Sequence, residues 1–432
     1  MSYLREIERN IAVPAVTNGS GGLLRFTTAG SVDDGKSTLI GRLLHDTRQI
    51  LEDQLTAVAR ASHKQGLEEL DLSLFTDGLE AEREQGITID VAYRYFSMPR
   101  RKFIIADTPG HVQYTRNMAT GASTADVAVI LADAAKGLLE QSKRHLFIAH
   151  LLGIKHVIVA VNKMDLVDYQ RDKFEAVRDA VEQFSALLDG PLPHFYFVPV
   201  CALLGDMVVE RGDRLAWYDG PTLLELLESI ERAEARTSRP FRFPVQLVQK
   251  SVEQGRAYLG LIASGSVFVG QEVVVLPSGR TTTVKAIHRW PGNRAAASAG
   301  ESVALSLADE IDISRGDQIA SVEQPPHVFR MLEATLVWFS VDPMVANGRY
   351  LLKHASRTVK AKVASVVDIV DVDTLTKRVS TTAVVGVNDI AHVVIALAQP
   401  IFCDLYSEER ATGAFILIDE MSNQTVAAGM IA

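Results

Sequence analysis

The stretch Gly30-Ser31-Val32-Asp33-Asp34-Gly35-Lys36-Ser37 decides the fold of the first half of this chain. It matches the pattern G-x-x-x-x-G-K-[ST], in which a glycine-rich loop wraps phosphate groups. The apolar run at residues 24–29 before it predicts a strand, and the spacing of apolar side chains at residues 36–44 after it predicts a helix. A strand, this loop and a helix in that order predict the phosphate-binding loop of a doubly wound α/β fold.

Phosphate binding explains the residue types at each position of this loop. Gly30 and Gly35 let backbone N–H groups turn inward without a clash of Cβ atoms. The N-terminus of the predicted helix adds partial positive charge. We expect Lys36 to reach the β- and γ-phosphates and the Ser37 hydroxyl to ligate Mg²⁺. The other residues expected around the phosphates are Ser31, Val32, Asp33, Asp34 and Thr38.

Apolar runs and helical patterns alternate along the rest of the first half. Strands are predicted at residues 103–106, 127–132, 157–161 and 195–200, and helices at residues 113–122, 142–152, 173–188 and 222–236. Continuous β-branched runs suit a sheet that is covered on both faces, so the alternation predicts a mostly parallel, doubly wound sheet. Residues 92–97 alternate in polarity, and we expect them to form a hairpin with the strand from Lys102.

The motif Asn162-Lys163-Met164-Asp165 follows directly on the predicted strand at residues 157–161. It therefore lies at the carboxyl edge of the sheet, beside the phosphate loop. The carboxylate of Asp165 can accept hydrogen bonds from both N1–H and N2–H of guanine, a pair that adenine cannot match. A polar turn after a strand is the plain alternative, but the two motifs in this order favour a GTP site.

Two further motifs would complete the site around the γ-phosphate. Asp107-Thr108-Pro109-Gly110 follows a predicted strand, and we expect Asp107 to hold a Mg²⁺-bound water and the Gly110 N–H to contact the γ-phosphate. Gly86-Ile87-Thr88-Ile89 supplies Thr88, which we expect to engage both Mg²⁺ and the γ-phosphate. Alone, Thr88 would be interpreted as a surface loop residue, and its position before Asp107 favours the metal role. The predicted metal ligands are Ser37, Thr88 and Asp107.

Composition limits the remaining classes of function. With 432 residues the chain is too long for one hydrophobic core, and its net charge of −9 with no dense Lys/Arg run disfavours a nucleic-acid partner. The two cysteines, Cys201 and Cys403, exclude a disulfide framework or a four-cysteine zinc site and suit a reducing cytoplasm. No apolar stretch approaches the ~20 residues that a membrane helix needs, so neither a membrane span nor a membrane partner is expected.

The character of the sequence changes after Pro240. Short Val/Thr-rich segments recur between Gly and Pro turn signals, a pattern typical of antiparallel barrels or sandwiches. A linker at residues 237–240 and a second boundary near Pro325 divide the chain. We expect an α/β GTPase domain at residues 1–238 and two antiparallel β-barrel domains at residues 239–325 and 326–432.

The motif at residues 107–111, with residues 86–89 upstream, resembles the translation-factor superfamily of GTPases, typified by elongation factor Tu. Residues 33–43 (DDGKSTLIGRL) and 77–94 (DGLEAEREQGITIDVAYR) resemble more closely the large, GTP-hydrolysing subunit of bacterial heterodimeric sulfate adenylyltransferase. That resemblance covers essentially the whole chain. It implies a GTPase domain followed by two β-barrels, GTP and Mg²⁺ as ligands, and a heterodimer, in which a separate small catalytic subunit makes adenosine 5′-phosphosulfate from ATP and sulfate.

The resemblance also implies roles for single residues. His111 is expected to position the attacking water, which makes His111, Lys36 and Thr88 the expected catalytic residues. The family's guanine-supporting S-A-L motif is here Cys201-Ala202-Leu203; the main contact is the N–H of Ala202, while Cys201 is interpreted as a small buried apolar residue. Asp33 is either a site for a monovalent cation or a solvated loop carboxylate.

Three functions stay open at this point. The first is the GTP-hydrolysing regulatory subunit of a sulfate adenylyltransferase. The second is a translation GTPase acting on tRNA or the ribosome, which predicts a basic surface and strongly salt-dependent binding. The third is a GTPase-like scaffold, which predicts damaged motifs. The acidic net charge and the motifs, which are intact apart from Cys201, favour the first.

Overall fold

The computed structural model describes residues 22–50, 53, 55, 56, 58, 70–75, 90–109, 115–231, 236–251, 255–289, 292–344, 348–372, 374–379 and 384–432. The chain divides into two compact units, Met1–Ala233 with Val372–Leu375 and Glu234–Asp371 with Thr376–Ala432. The boundaries expected at residues 238 and 325 stay predictions.

Six strands form the sheet of the first unit. They are β1 (Leu23–Ala29), β2 (Ala92–Ser97), β3 (Lys102–Asp107), β4 (Val127–Asp133), β5 (His156–Asn162) and β6 (His194–Pro199). Their order is β2-β3-β1-β4-β5-β6, with β1 and β3–β6 parallel and β2 antiparallel to β3. Every residue of β4, in the middle of the sheet, is buried, as expected for a sheet covered on both faces. The predicted sheet and its hairpin are confirmed.

Helices connect these strands in the expected places. They are α1 (Lys36–Asp46), α2 (Thr115–Ala122), α3 (Glu140–Leu151), α4 (Arg171–Ser185) and α5 (Leu223–Ser229), with short 3₁₀ turns at Leu72–Phe75 and Met164–Val167. Parallel strands require such crossover helices, and these bring the carboxyl ends of β1, β3 and β5 to one edge of the sheet. The loops that follow these three strands carry the predicted site motifs.

The helix predicted at residues 222–236 was wrong in its length. It begins with a capping box between Thr222 and Glu225 and ends at Ser229, because Ile230 adopts an extended conformation. The guanidinium of Arg101, from the hairpin after β2, donates to the carbonyls of Leu227 and Ile230 at 3.0 and 2.6 Å. This side chain satisfies the last carbonyls of the helix in place of another turn. A partner 126 residues away in sequence leaves no local signal.

The second unit begins with a 3₁₀ turn at Arg236–Ser238 and a β-barrel. Its strands are β7 (Arg242–Pro244), β8 (Leu247–Ser251), β9 (Gly255–Leu261), β10 (Ser266–Phe268), β11 (Glu272–Leu276), β12 (Arg280–Arg289), β13 (Gly292–Arg294), β14 (Ala296–Ser298), β15 (Ser302–Leu307) and β16 (Gln318–Ser321). The main sheet runs β7-β16-β11-β12-β15-β9-β8, and backbone hydrogen bonds join Arg242 of β7 to Ala263 and Ser264, which follow β9. Phe243, Tyr258 and Leu305 lie in its buried core.

The second barrel contains β17 (His327–Trp338), β18 (Arg349–His354), β19 (Arg357–Val370), β20 (Lys377–Arg378), β21 (Ile390–Cys403), a short helix α6 (Arg410–Gly413), β22 (Ala414–Asp419) and β23 (Thr425–Ile431). The order β18-β22-β23-β17-β21-β19 closes on itself through pairing of β18 with β19, which makes a six-stranded antiparallel barrel. The predicted fold class, an α/β domain followed by two antiparallel barrels, is confirmed. No helix within the described residues is long and apolar enough to cross a membrane.

Candidate nucleotide site

The phosphate loop joins β1 to α1 in the conformation that its motif requires. Asp33 and Gly35 have positive φ angles of 65° and 87°, and Gly35 is the residue that precedes the first turn of α1. A Cβ atom on Gly35 would lie 2.5 Å from the side-chain nitrogen of Asn162. Glycine is therefore required here by both backbone angle and space. Of the neighbouring loop residues, Ser31 is buried, Val32 is exposed, and Ser37 and Thr38 are half-buried.

Lys36 is a buried cation inside this loop. Its Nζ donates hydrogen bonds to the carbonyls of Gly30 at 3.0 Å and Ser31 at 3.2 Å. Burial lowers the pKa of Lys36, while Asp107, Asp34 and Asp33 raise it in part. The ammonium group thus lies among carboxylates and carbonyls at the N-terminus of α1, where added negative charge is stabilised. This donor set fits the phosphates of a nucleotide.

Asp34 closes the loop from the other side. Its Oδ2 accepts a hydrogen bond from the N–H of Ser31 at 2.7 Å, and its carbonyl accepts one from Asn162 Nδ2 at 2.7 Å. Its Oδ1 is buried without a hydrogen-bond partner among the described residues. Burial raises the pKa of Asp34, which the Ser31 hydrogen bond and the charge of Lys36 offset only in part. Sequence reasoning placed Asp34 near phosphate but did not foresee this bracing role.

The predicted magnesium side is held by β1 and β3. Thr28 Oγ1 donates to Asp107 Oδ1 at 3.0 Å, and Thr108 Oγ1 donates to the Thr28 carbonyl at 2.6 Å. Asp107, Thr108 and Pro109 are all buried. A carboxylate and a serine hydroxyl beside a phosphate loop are oxygen ligands of the kind that Mg²⁺ prefers. Asp107 and Ser37 therefore suit the metal expected with GTP.

The base-reading motif is tied to two other segments by Asn162. While its Nδ2 binds the phosphate loop, its Oδ1 accepts the N–H of Ala202 at 3.0 Å. Asp165 is reached by the thiol of Cys201, whose Sγ donates to Oδ1 at 3.1 Å. Cys201 and Ala202 are buried, and Leu203 is exposed. Cys201 thus donates a weak hydrogen bond to Asp165, whereas the sequence suggested only a small buried apolar residue.

The two middle residues of this motif, Lys163 and Met164, anchor it to the rest of the domain. Lys163 has a positive φ of 62°, and its Nζ lies 3.0 Å from Asp133 Oδ2 at the end of β4. Burial alone would raise the pKa of Asp133, but the hydrogen bond and charge of Lys163, with backbone N–H donors, hold it below its usual range. Met164 is fully buried. Asp133 was missed in the sequence, although it directly follows the strand predicted at residues 127–132 and lies at the same edge of the sheet.

Arg42 on α1 is a second support that sequence reasoning missed. Its Nε donates to the Ala202 carbonyl at 3.1 Å, and its guanidinium also donates to the Leu203 carbonyl. Asp46, one turn later, pairs with it at 3.5 Å. The helix that presents the phosphate loop therefore also holds the base-reading loop.

Helix α3 packs against the phosphate loop. Ser142 Oγ is 3.3 Å from Ser31 Oγ, and His145 Nε2 is 3.1 Å from Gln141 Nε2. Burial, with the nearby charges of Lys36 and Arg144, lowers the pKa of His145 to about 3, and its Nδ1 has no hydrogen-bond partner within the described chain. His145 is therefore neutral at physiological pH.

Three predicted residues, Thr88, Gly110 and His111, lie outside the described residues. Their roles stay predictions, as does a monovalent cation at the exposed Asp33. The remaining predicted residues lie in four segments at one edge of the sheet. Asn162 connects its own segment to the phosphate loop and to the loop of Ala202, and Thr28 holds the segment of Asp107 and Thr108.

Two family models match parts of this chain. A family model described as the elongation factor Tu GTP binding domain matches residues 22–252, and one described as GTP-eEF1A C-terminal domain-like matches residues 331–432. A solved structure of sup35 complexed with GDP aligns over 99% of this chain and 98% of its own, with a TM-score of 0.44 and 23% identity. The first match covers more than half of the chain and carries the phosphate loop and the base motif.

Sulfate adenylyltransferase subunit 1 of Teredinibacter turnerae is 52% identical over 410 residues, which are 94% of this chain and 87% of the relative. The same subunit of Yersinia enterocolitica is 51% identical, over 95% of this chain and 85% of its own. This chain belongs to the sulfate adenylyltransferase subunit 1 family. In this member of the sulfate adenylyltransferase subunit 1 family, the phosphate loop, the Asn162 bridge and the base loop are all in place.

Proposed function

We propose that this chain binds and hydrolyses GTP and that, as one subunit of a sulfate adenylyltransferase, it couples hydrolysis to the formation of adenosine 5′-phosphosulfate. The observation that carries the proposal is the bridge by Asn162 between the phosphate loop and the N–H of Ala202. This bridge holds the base motif in register with the phosphate loop, and the Asp165 carboxylate of that motif can accept both N–H donors of guanine. The relatives that are about 50% identical to this chain are sulfate adenylyltransferase subunits, which supports that function over a translation factor.

The residues of the site divide the work on GTP. Lys36 and the N-terminus of α1 bind the β- and γ-phosphates, while Asp165 accepts the guanine N–H donors and Asn162 holds the two loops in register. Mg²⁺ held by Ser37, Asp107 and Thr88 would neutralise charge on the phosphates. His111 is proposed to orient the attacking water, so His111→Ala should slow hydrolysis by roughly 100-fold or more at nearly unchanged GTP affinity.

The partner is proposed from chemistry. Adenosine 5′-phosphosulfate contains a mixed anhydride, so its formation from ATP and sulfate is uphill, and a chain with one phosphate loop committed to guanine needs another subunit to bind ATP. The relatives' name, subunit 1, implies such a partner. We propose a heterodimer with a small catalytic subunit, in the cytoplasm, with no nucleic acid or membrane as partner.

The test is reconstitution with the purified small subunit. The isolated chain should make no adenosine 5′-phosphosulfate from ATP, sulfate and GTP, whereas the complex should make it in a GTP-dependent reaction and raise GTP turnover. Asp165→Asn is the matched variant, because an amide pairs with the altered edge of xanthine; it should exchange GTP dependence for XTP dependence. Thr88→Ala should uncouple the two activities.

Two outcomes would contradict the proposal: product made by the isolated chain, or a complex whose output is indifferent to GTP. Salt-sensitive binding to aminoacyl-tRNA would favour the translation-factor alternative instead.

A further inference from the structure

The outer edge of β2 is open at Tyr93 and Tyr95, whereas the outward N–H of Ser97 donates to Gln49 Oε1 at 3.3 Å. The hairpin turn pairs Met98 and Arg101 through both of their N–H···O bonds, at 2.8 and 3.2 Å. Since hydrogen-bonded and non-bonded pairs alternate along an antiparallel ladder, Tyr93 and Tyr95 direct their N–H and C=O groups away from β3. Within the described chain, β2 pairs with β3 alone, and no partner of the outward groups of Tyr93 or Tyr95 is found.

The side chains beside this edge form an apolar groove with a charged rim. Tyr95 is 69% exposed and Tyr93 is 45% exposed, both on the face that also carries Ile104 and Ala106 of β3. Together with the C-terminal end of α2 at Gly121, they line a groove of about 200 Å³. Tyrosine is enriched at protein interfaces because it offers a large apolar surface with a polar tip.

Two cations stand on this same face. Arg25 is the register neighbour of Ile104 and lines the groove, and Lys102 pairs with Ser97 next to the turn of the hairpin. Neither side chain has an ion pair within the described residues. The carboxylate of Asp126 accepts a hydrogen bond from the backbone N–H of Arg25 at 2.9 Å. In a chain of net charge −9, this rim is a local positive patch.

An unpaired, unprotected strand edge is a liability that proteins usually cover. Natural edges are protected by proline, bulges or inward-pointing charges, whereas β2 is a regular strand of six residues without proline. Alternating outward N–H and C=O groups complement another peptide strand, and nucleic acid offers no such ladder. The cations favour acidic residues in that strand.

We propose that this edge is the docking surface for an extended, acidic segment of the partner subunit. The segment adds to the sheet as a seventh strand next to β2, seats an apolar side chain in the groove between Tyr93 and Gly121, and directs a carboxylate toward Arg25 and Lys102. The inference rests on the proposed function, since it presumes that partner. β3, the neighbour of β2, ends at Asp107 of the predicted magnesium site, so β2 alone separates the docked strand from the strand that ends at that site.

The experiment measures the affinity of the chain for the purified small subunit. Tyr95→Pro removes an outward N–H but no bond to β3, and proline is tolerated at such edge positions; it should weaken binding by about 10-fold or more. Tyr95→Phe should change it less than about two-fold. The double variant Arg25→Glu, Lys102→Glu should weaken binding by about 10-fold, whereas Lys285→Glu, at an exposed lysine of the first barrel, should not. All variants should bind GTP like the wild type.

Hydrogen exchange separates strand addition from simple side-chain contact. In the complex, the amides of Tyr93 and Tyr95 should become protected, while that of Arg94, already bonded to β3, should change little. If the variants bind the small subunit as tightly as wild type, or if these two amides stay unprotected, the docking surface is refuted and the proposed function stands. Loss of self-association in the variants would identify a second copy as the occupant and would also refute it. A wild-type chain that binds no small subunit overturns both.

Discussion

The phosphate side and the base side of the nucleotide site are built in opposite ways. On the phosphate side, the contacts of Lys36 with Gly30 and Ser31 span five or six residues of sequence. On the base side, Asn162 reaches Ala202 across 40 residues and Arg42 reaches the same residue across 160. The internal contacts of the phosphate loop are local, although Asn162 also bonds to Asp34 across 128 residues, whereas the contacts of the base loop form only after the sheet has assembled. The first is a property of local sequence and the second of tertiary structure.

The two sides also differ in electrostatics. Lys36 and Asp34 are buried charged groups of the phosphate loop, and each has a pKa that burial shifts toward its neutral form. The thiol of Cys201 beside Asp165 is neutral, and burial together with the Asp165 hydrogen bond raises its pKa to about 11. Changes on the phosphate side should therefore cost more than changes on the base side. The following predictions test that ranking.

The largest effect is expected for Lys36→Ala. It removes a buried ammonium group from among two carbonyls and three carboxylates. Removing one member of a buried charge network lowers the free energy of unfolding by roughly 3–5 kcal/mol. GTP affinity, measured by titration with a fluorescent analogue, should fall on the order of 100-fold or more. Lys155→Ala is the control, because Lys155 is exposed and precedes β5 at the opposite edge of the sheet. Near-normal GTP binding by Lys36→Ala would mean that the helix N-terminus alone holds the phosphates.

His145 predicts a loss of stability in acid. Its pKa in the folded state is about 3, against 6.5 in the unfolded chain. The unfolded state therefore binds a proton below pH 6.5 that the folded state refuses, so this contribution lowers stability progressively from pH 6.5 toward pH 3. By pH 4.5 the loss should be roughly 2–3 kcal/mol.

The measurement is the difference in urea midpoint between wild type and His145→Gln at pH 7 and at pH 4.5. Glutamine does not titrate, so the other acidic groups cancel in the comparison. The variant should lose less stability in acid than the wild type. Equal acid dependence in both proteins would show that His145 is protonated while folded.

The same contrast explains what could be predicted from sequence. The sheet, the hairpin and the phosphate loop were predictable because periodicity and a contiguous motif are local signals, and Gly35 was required by its own backbone angle. Arg42, Asp133 and His145 were missed, since an arginine, an aspartate or a histidine on a regular element is ordinary until its partner is known. The end of α5 was predicted wrongly for the same reason, because Arg101 caps this helix from a hairpin that is distant in sequence.

Arg42→Ala should have an intermediate effect. It removes two hydrogen bonds from a charged donor to the carbonyls of Ala202 and Leu203, which we expect to cost roughly 1–2 kcal/mol, or about 10-fold in affinity. The affinities for GTP and GDP should fall equally, because the base loop contacts the guanine that both nucleotides share. The ratio of the two affinities is therefore the quantity to measure. Arg48→Ala, at an exposed arginine beyond the end of α1, is the control. A selective loss of GTP would place Arg42 on the phosphate side instead.

The smallest effect is expected at Cys201. Its thiol donates to Asp165 Oδ1 at 3.1 Å, and a serine hydroxyl can make the same bond, so Cys201→Ser should leave GTP affinity within about two- to three-fold of wild type. Cys201→Ala removes the donor and should lower GTP affinity slightly more, because Asp165 then holds its orientation with one hydrogen bond fewer.

Because the folded pKa of Cys201, about 11, lies above the unfolded value of 9.0, the thiol form favours folding below pH 9, and this contribution disappears as the pH rises through 11. GTP affinity should consequently show no thiol titration between pH 7 and pH 9, and alkylation of Cys201 at pH 7.5 should be far slower than that of a free thiol. Rapid alkylation at neutral pH, or a ten-fold loss of GTP affinity in Cys201→Ser, would show that the base side depends on this contact as strongly as the phosphate side depends on Lys36.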